Sequence, residues 1–213
     1  MQATSLIKKI EACITETLNA YIRKTQFEEG SFSLRDSMIK SNWNYLINPP
    51  HMNPTKNSEA RKNCKWSPPP PGWYKLNFDG ASRGNPGLSG IGCIINNEDG
   101  QWLLKRAKLI NPTSNNLAEL EAVLEGIKLC LKLGLTKVII EGDSQIVINA
   151  LRKKSTPNWV LNSKLDEIIK LMEYLETFQL IHIFREGNTI ADKLANLGAD
   201  GSNFIKINNL KKV

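Results

Sequence analysis

Residues 73–87 read WYKLNFDGASRGNPG, and the alternation within them decides the fold. Tyr74, Leu76 and Phe78 alternate with Lys75 and Asn77, the period-two pattern of a half-buried strand. The strand runs into Asp79, and the GASRGNPG that follows is turn chemistry, rich in Gly, Asn and Pro. Residues 91–95 read as a second strand that stops at the turn NNEDG, and residues 102–109 as a third. An antiparallel meander is predicted.

Downstream, the periodicity changes. Residues 115–133 place Leu117, Leu120, Val123, Leu124, Ile127 and Leu131 at helical spacing, with Gly134 placed to end the helix. KVIIEGD (137–143) is a short buried strand, and 144–152, with Ile146, Val147 and Ala150, is a second helix. Residues 161–175 predict a third helix, FQLIHIF (178–184) a last strand, and 189–197 a fourth helix after the turn EGN. Strands that pair first as a meander and then alternate with helices imply an α/β fold. The expectation is a five-stranded mixed sheet, antiparallel meander then parallel βαβ, with helices on both faces.

Upstream, Leu6, Ile7, Ile10, Ile14, Leu18, Tyr21 and Ile22 stand three and four apart, predicting an amphipathic helix within residues 1–25. From 26 to 72 periodicity fades into Pro, Asn and Lys, and Pro68 to Pro71 form an extended spacer, so this stretch reads as a linker. The predicted domain spans 73–200, and 201–213 reads as a tail.

Composition narrows the class. With 41% hydrophobic and 23% charged residues, the chain is neither disordered nor fibrous. The net charge of +7 suits a polyanionic partner. It is spread, with 10 basic and 6 acidic residues before Trp73 and 18 and 15 from there on, so no basic tail explains it. Cys13, Cys64, Cys93 and Cys130 lack CxxC or Cys/His spacing, which argues against zinc and disulfide frameworks and for a reducing compartment. Lys8, Lys9 and Glu11 stand where a signal peptide needs apolar residues, and no stretch approaches a membrane span. An intracellular protein is expected, in nucleus, cytoplasm or an organelle, with no membrane partner.

Four acids stand out by position. Asp79 ends an apolar strand before Gly80. Asp143 lies at a strand-to-helix junction, Asp192 in the first turn of the last helix, and Glu119 in a helix whose apolar face includes Leu117, Leu120 and Val123. Singly, each has an ordinary explanation as a turn former, a helix N-terminal acid or a solvated residue. Four carboxylates in one cleft would repel one another, and a divalent cation removes that problem. Oxygen ligands without Cys or clustered His point to Mg²⁺ or Mn²⁺ rather than Zn²⁺.

DGASRGNPG after a strand, TSNNLAELEA opening a helix, EGDSQ after a strand and REGNTIADKLA near the end resemble the four motif blocks of the ribonuclease H type 1 family. Their order and spacing match across residues 73–198. WSPPPPGWYKLNFDGASRGNPG also resembles the plant reverse-transcriptase-like, retroelement-derived branch of that family. The resemblance implies the ribonuclease H-like fold and metal-dependent hydrolysis of the RNA strand of RNA/DNA hybrids, leaving a 5′-phosphate and a 3′-hydroxyl.

By the same resemblance, Asp79, Glu119, Asp143 and Asp192 would hold two Mg²⁺ ions about 3.5 to 4 Å apart, with Mn²⁺ a possible substitute. Asp79 would bridge both ions, Glu119 and Asp143 would complete one site and Asp192 the other. Many members carry a His in the loop before the last acid. Here Arg185 occupies that loop, while His182 falls within the last strand; Arg185 is the favoured partner of the acids, as a phosphate contact rather than a base. Ser82, Asn85, Asn115, Asn116 and Gln145 match positions that touch the minor groove and its 2′-hydroxyls, and Gly84 and Gly87 would permit close backbone approach. The basic helix and loop with which some members grip the DNA strand is missing between Leu151 and Leu161, where Arg152, Lys153, Lys154 and Trp159 would either substitute for it in part or form a solvated charge run at a helix end.

Two rival readings share this fold. One is a non-catalytic module that holds hybrid or structured nucleic acid. The other is an adaptor whose N-terminal helix and proline run recruit an unidentified protein, with the nuclease fold as scaffold. Another nuclease class with the same acidic core fits the NPG and DSQ blocks less well.

Overall fold

Leu76 and Phe78 are fully buried on one side of the strand β1 (Tyr74–Gly84), while Lys75, Asn77 and Asp79 are buried on the other. A strand covered on both faces belongs at the centre of a sheet. In this computed structural model, which describes residues 66–208, β1 pairs antiparallel with β2 (Gly87–Asn96) and parallel with β4 (Lys137–Gly142). β3 (Trp102–Thr113) extends the meander beyond β2, and β5 (Thr177–His182) lies parallel to β4. The predicted helix in residues 1–25, the linker up to residue 65 and the tail from 209 lie outside the described residues.

The expected mixed sheet is present, with one strand more than predicted. Residues Asn203–Ile207 form β6, which pairs antiparallel with β3 from Leu104↔Ile207 to Lys108↔Asn203. The strand order is β5-β4-β1-β2-β3-β6. Part of the expected tail therefore belongs to the sheet. Five residues with four exposed side chains (Asn203, Ile205, Lys206 and Ile207) carry little of the apolar alternation that betrays a buried strand.

Helices cover both faces. α1 (Asn115–Lys132) lies over Leu76 and Phe78: a Cβ on Gly126 would stand 2.7 Å from the Leu76 methyls. α4 (Thr189–Ala199) lies on the opposite face, so close to β2 that a Cβ on Gly92 would stand 2.3 Å from Ala191 O. α2 (Gln145–Lys153) and α3 (Trp159–Met172) complete the layer around α1. Burial of side chains such as Phe78, Leu120 and Ile127 drives this packing, each contributing roughly 1.5–3 kcal/mol.

Residues 66–72, read as linker, also pack on the sheet. Trp66 Nε1–H donates to Asn77 Oδ1 at 3.0 Å, Lys75 Nζ donates to Ser67 O at 2.8 Å, and Pro69 is buried. The Lys75 ammonium also lies 5.4 Å from the centre of the Trp66 ring.

Candidate active site

The sheet changes direction at β1, whose neighbour on one side is parallel and on the other antiparallel. In sheets of this kind, clefts open beyond the carboxyl ends of parallel strands at such a switch point. The β1/β4 register pairs Asn77 with Glu141, and β4 ends one residue later at Gly142. Asp79 and Asp143, two residues further along each chain, emerge at that opening.

Glu119 joins them from α1. A Cβ on Gly80 would stand 2.3 Å from Ala118 C and Glu119 N, so this glycine lets the first turn of α1 settle directly on β1 beside Asp79. One carboxylate oxygen each from Asp79, Glu119 and Asp143 lies within 4.8 Å of the others. Asp79 is 6% exposed and Glu119 9% exposed.

The electrostatics of this cluster are those of acids short of a counter-charge. Burial, then the neighbouring Asp143, raises the Asp79 carboxyl to about 7, and Asp192 adds to the rise. Burial, then Asp79 and Asp143, pushes Glu119 well above the ordinary carboxylate range. Glu119 Oε2 is buried with no hydrogen-bond partner. A buried acceptor without a donor is costly, and a small divalent cation with hard oxygen ligands satisfies it while cancelling the repulsion. The donor set fits a hard divalent cation.

Asp192, in the first turn of α4, stands beside this trio and carries a cation of its own. Arg185 Nη2 lies 2.5 Å from Asp192 Oδ1, and this contact raises the guanidinium pKa further. Arg185 lies in the 3₁₀ turn Arg185–Gly187 that leads into α4. His182, at the end of β5, donates from Nε2 to the main-chain oxygen of Asp143 at 3.1 Å.

The sequence profile described as "Reverse transcriptase-like" matches residues 77–198, which contain all four acids. The chain belongs to the reverse transcriptase-like group of the ribonuclease H family. Ribonuclease HI of Halobacterium salinarum is 31% identical over 128 residues, covering 58% of this chain and 62% of that protein. An Arabidopsis thaliana relative is 31% identical over 131 residues, covering 62% of this chain, which spans only 21% of that relative's length. Among solved structures, ribonuclease H1 from Halobacterium salinarum superposes with a TM-score of 0.59 at 30% identity, over 61% of this chain and 99% of that one. A ribonuclease H1 isolated from compost, solved in complex with an RNA/DNA hybrid, gives 0.57 at 30% identity, over 60% and 96%.

The residues that the family resemblance assigned to nucleic acid are less uniformly available. Ser82 Oγ lies 2.5 Å from Gly84 O and 2.7 Å from Thr113 O, bracing the turn between β1 and β2. Asn85 Oδ1 accepts the Asn115 N–H at 3.0 Å and so caps α1, where the preceding Ser114 makes no side-chain cap. Asn116 is half-buried, and exposed Gln145 reaches Asn149 Oδ1 at 2.9 Å. Of the substitutes for the basic handle, Arg152 is turned inward, donating from Nη2 to Leu180 O at 2.7 Å. Lys153 is exposed and Trp159 is 81% exposed.

Sequence reasoning passed over Asn188. It is 1% exposed, and its Nδ2 donates to Phe78 O at 2.8 Å and Asp143 Oδ1 at 3.0 Å. An Asn before a helix reads as an N-cap, yet its side chain makes no cap bond here. The departure is legible only from its partners, 110 and 45 residues away in sequence. Lys75 and Glu141 were likewise unremarked. They form an ion pair at 2.7 Å with side chains 6% and 7% exposed.

Proposed function

We propose that the chain is a metal-dependent endoribonuclease for the RNA strand of RNA/DNA hybrids. The observation that carries this reading is the convergence of Asp79, Glu119 and Asp143, with Glu119 Oε2 buried and unpartnered. The hybrid bound by the compost ribonuclease H1 supports the substrate assignment.

Asp79, Glu119, Asp143 and Asp192 would be the ligands in this reading, and the family resemblance is what makes Asp79 the one shared by both ions. Bound there, two Mg²⁺ ions supply activation of the attacking water and stabilisation of the leaving 3′-oxygen. The protein's part is to hold four carboxylates ionised and aimed. Arg185, permanently charged and exposed at the cleft mouth, contacts a substrate phosphate and takes no proton. Asn115, Asn116 and Gln145 at the starts of α1 and α2 address the sugar edges, since amides both donate and accept without repelling phosphate. The products are a 5′-phosphate and a 3′-hydroxyl.

The test is cleavage of a labelled hybrid in Mg²⁺ or Mn²⁺, with single-stranded RNA and duplex DNA as controls and Asp79→Asn as the variant. Metal-dependent cutting of the hybrid's RNA strand, lost in the variant, is expected. Folded protein that binds hybrid without cutting it in either metal would replace the nuclease with a binding module.

A further inference from the structure

A single buried amide ties together the elements that carry the acids. Asn188 Nδ2 has two hydrogens, and both are used. One goes to Phe78 O, the carbonyl just before Asp79, and the other to Asp143 Oδ1. Its main-chain oxygen accepts the N–H of Asp192 at 3.1 Å. One residue therefore spans the end of β1, the end of β4 and the first turn of α4.

The amide is itself held from behind. Its Oδ1 lies 3.5 Å from Asn77 Nδ2, which also donates to Glu141 Oε2 at 3.1 Å. Asn77 Oδ1 in turn accepts the Trp66 Nε1–H. Turning over either amide would set oxygen against oxygen at Glu141 or Asp143, so the line has one self-consistent arrangement. Lys75, bonded to Glu141 and to Ser67 O, fixes the outer end.

We infer that Asn188 is a positioning residue for the acid site, oriented by Asn77 and Trp66, so that the strap 66–72 is part of the nuclease machinery. This rests on the functional reading above. Holding Oδ1 of Asp143 fixes the rotation of that carboxylate, and holding Phe78 O fixes the spacing between the ends of β1 and β4. Partners of this kind behind a metal ligand typically alter metal affinity or activity by about 10- to 100-fold when removed. A carboxylate at 188 would repel Asp143, whereas the amide donates to it.

The test uses the full chain. Mn²⁺ binding is measured calorimetrically without substrate, and hybrid cleavage is resolved into kcat and KM, for Asn188→Ala and Trp66→Phe, with thermal melts alongside. Asn188→Ala is expected to weaken Mn²⁺ binding and lower kcat by about 10-fold or more at unchanged KM. Trp66→Phe keeps an aromatic ring beside Lys75 but loses the N–H along with one ring of the indole, so its effect runs the same way at about 3-fold, near the worth of one neutral hydrogen bond. If Asn188→Ala does not fold, Trp66→Phe decides. Folded variants with wild-type Mn²⁺ affinity and kcat, whatever their melting temperature, overturn the inference. A wild type that neither binds Mn²⁺ nor cuts hybrid overturns the functional reading, and the inference with it.

Discussion

Arg185 Nη2 and Asp192 Oδ1 are 2.5 Å apart, with the guanidinium side chain 74% exposed and the carboxylate 24% exposed. The arginine thus competes with any cation for Asp192 while offering the cleft a positive charge. Exposed pairs of this type are weak, so the competition is modest. Arg185→Ala is expected to lower the Mg²⁺ concentration for half-maximal cleavage by about 2- to 5-fold and to raise KM for the hybrid. Metal titrations at fixed hybrid and hybrid titrations at fixed metal separate the two effects; movement in the same direction would contradict this account.

The raised carboxyls of Asp79 and Glu119 link stability to pH in the metal-free protein. Both bind protons more tightly folded than unfolded. Their stabilisation is therefore fully present below the ordinary carboxylate value, 3.8 for Asp79, and is lost as pH rises through about 7. Without metal, the melting temperature of wild type should fall relative to Asp79→Asn between pH 4 and pH 8 on this scale. Added Mg²⁺ should restore the wild type at the alkaline end and leave the variant largely unmoved. Parallel melting curves across the pH range would count against a cluster of repelling acids.

Gly80 sits under the first turn of α1, where an added Cβ would lie 2.3 Å from Ala118 C and Glu119 N. These are backbone atoms and cannot swing aside. Gly80→Ala is expected to destabilise the fold by about 1–3 kcal/mol, the usual range for overpacking, and to displace Glu119 from Asp79. Denaturant unfolding measures the first effect. Loss of hybrid cleavage beyond the fraction unfolded measures the second.

Trp159 is 81% exposed at the start of α3, near the Lys153 end of α2. With Arg152 committed to Leu180 O, the aromatic ring is the larger remaining contact surface for a nucleic-acid strand. Trp159→Ala is expected to raise KM for the hybrid by a factor corresponding to about 1–3 kcal/mol of stacking, with kcat and melting temperature unchanged. An unchanged KM would leave the family's missing handle without a substitute at this position.

Much of the site was legible because its acids stand at element boundaries. Asp79 before Gly80 and Asp143 after VIIEG are placed by strand alternation and turn chemistry, which are local properties of the chain. The sequence alone determined the meander and the helices on both faces, and it singled out the acids as candidates. β6 was not legible: its short and mostly exposed stretch acquires strand character from the ladder it forms with β3. The strap was hidden for a related reason. Its proline run reads as a spacer, and only the distant partners Asn77, Lys75 and Gly100 give Trp66 and Pro68 something to dock against. Tertiary structure alone decided that the Asn188 side chain turns from its helix end to bridge Phe78 O and Asp143, and that Arg152 turns inward while Arg185 meets Asp192. Hydrophobic periodicity records which face of an element is buried, whereas the partner of a buried polar group is set by which distant segments the fold brings within hydrogen-bond reach.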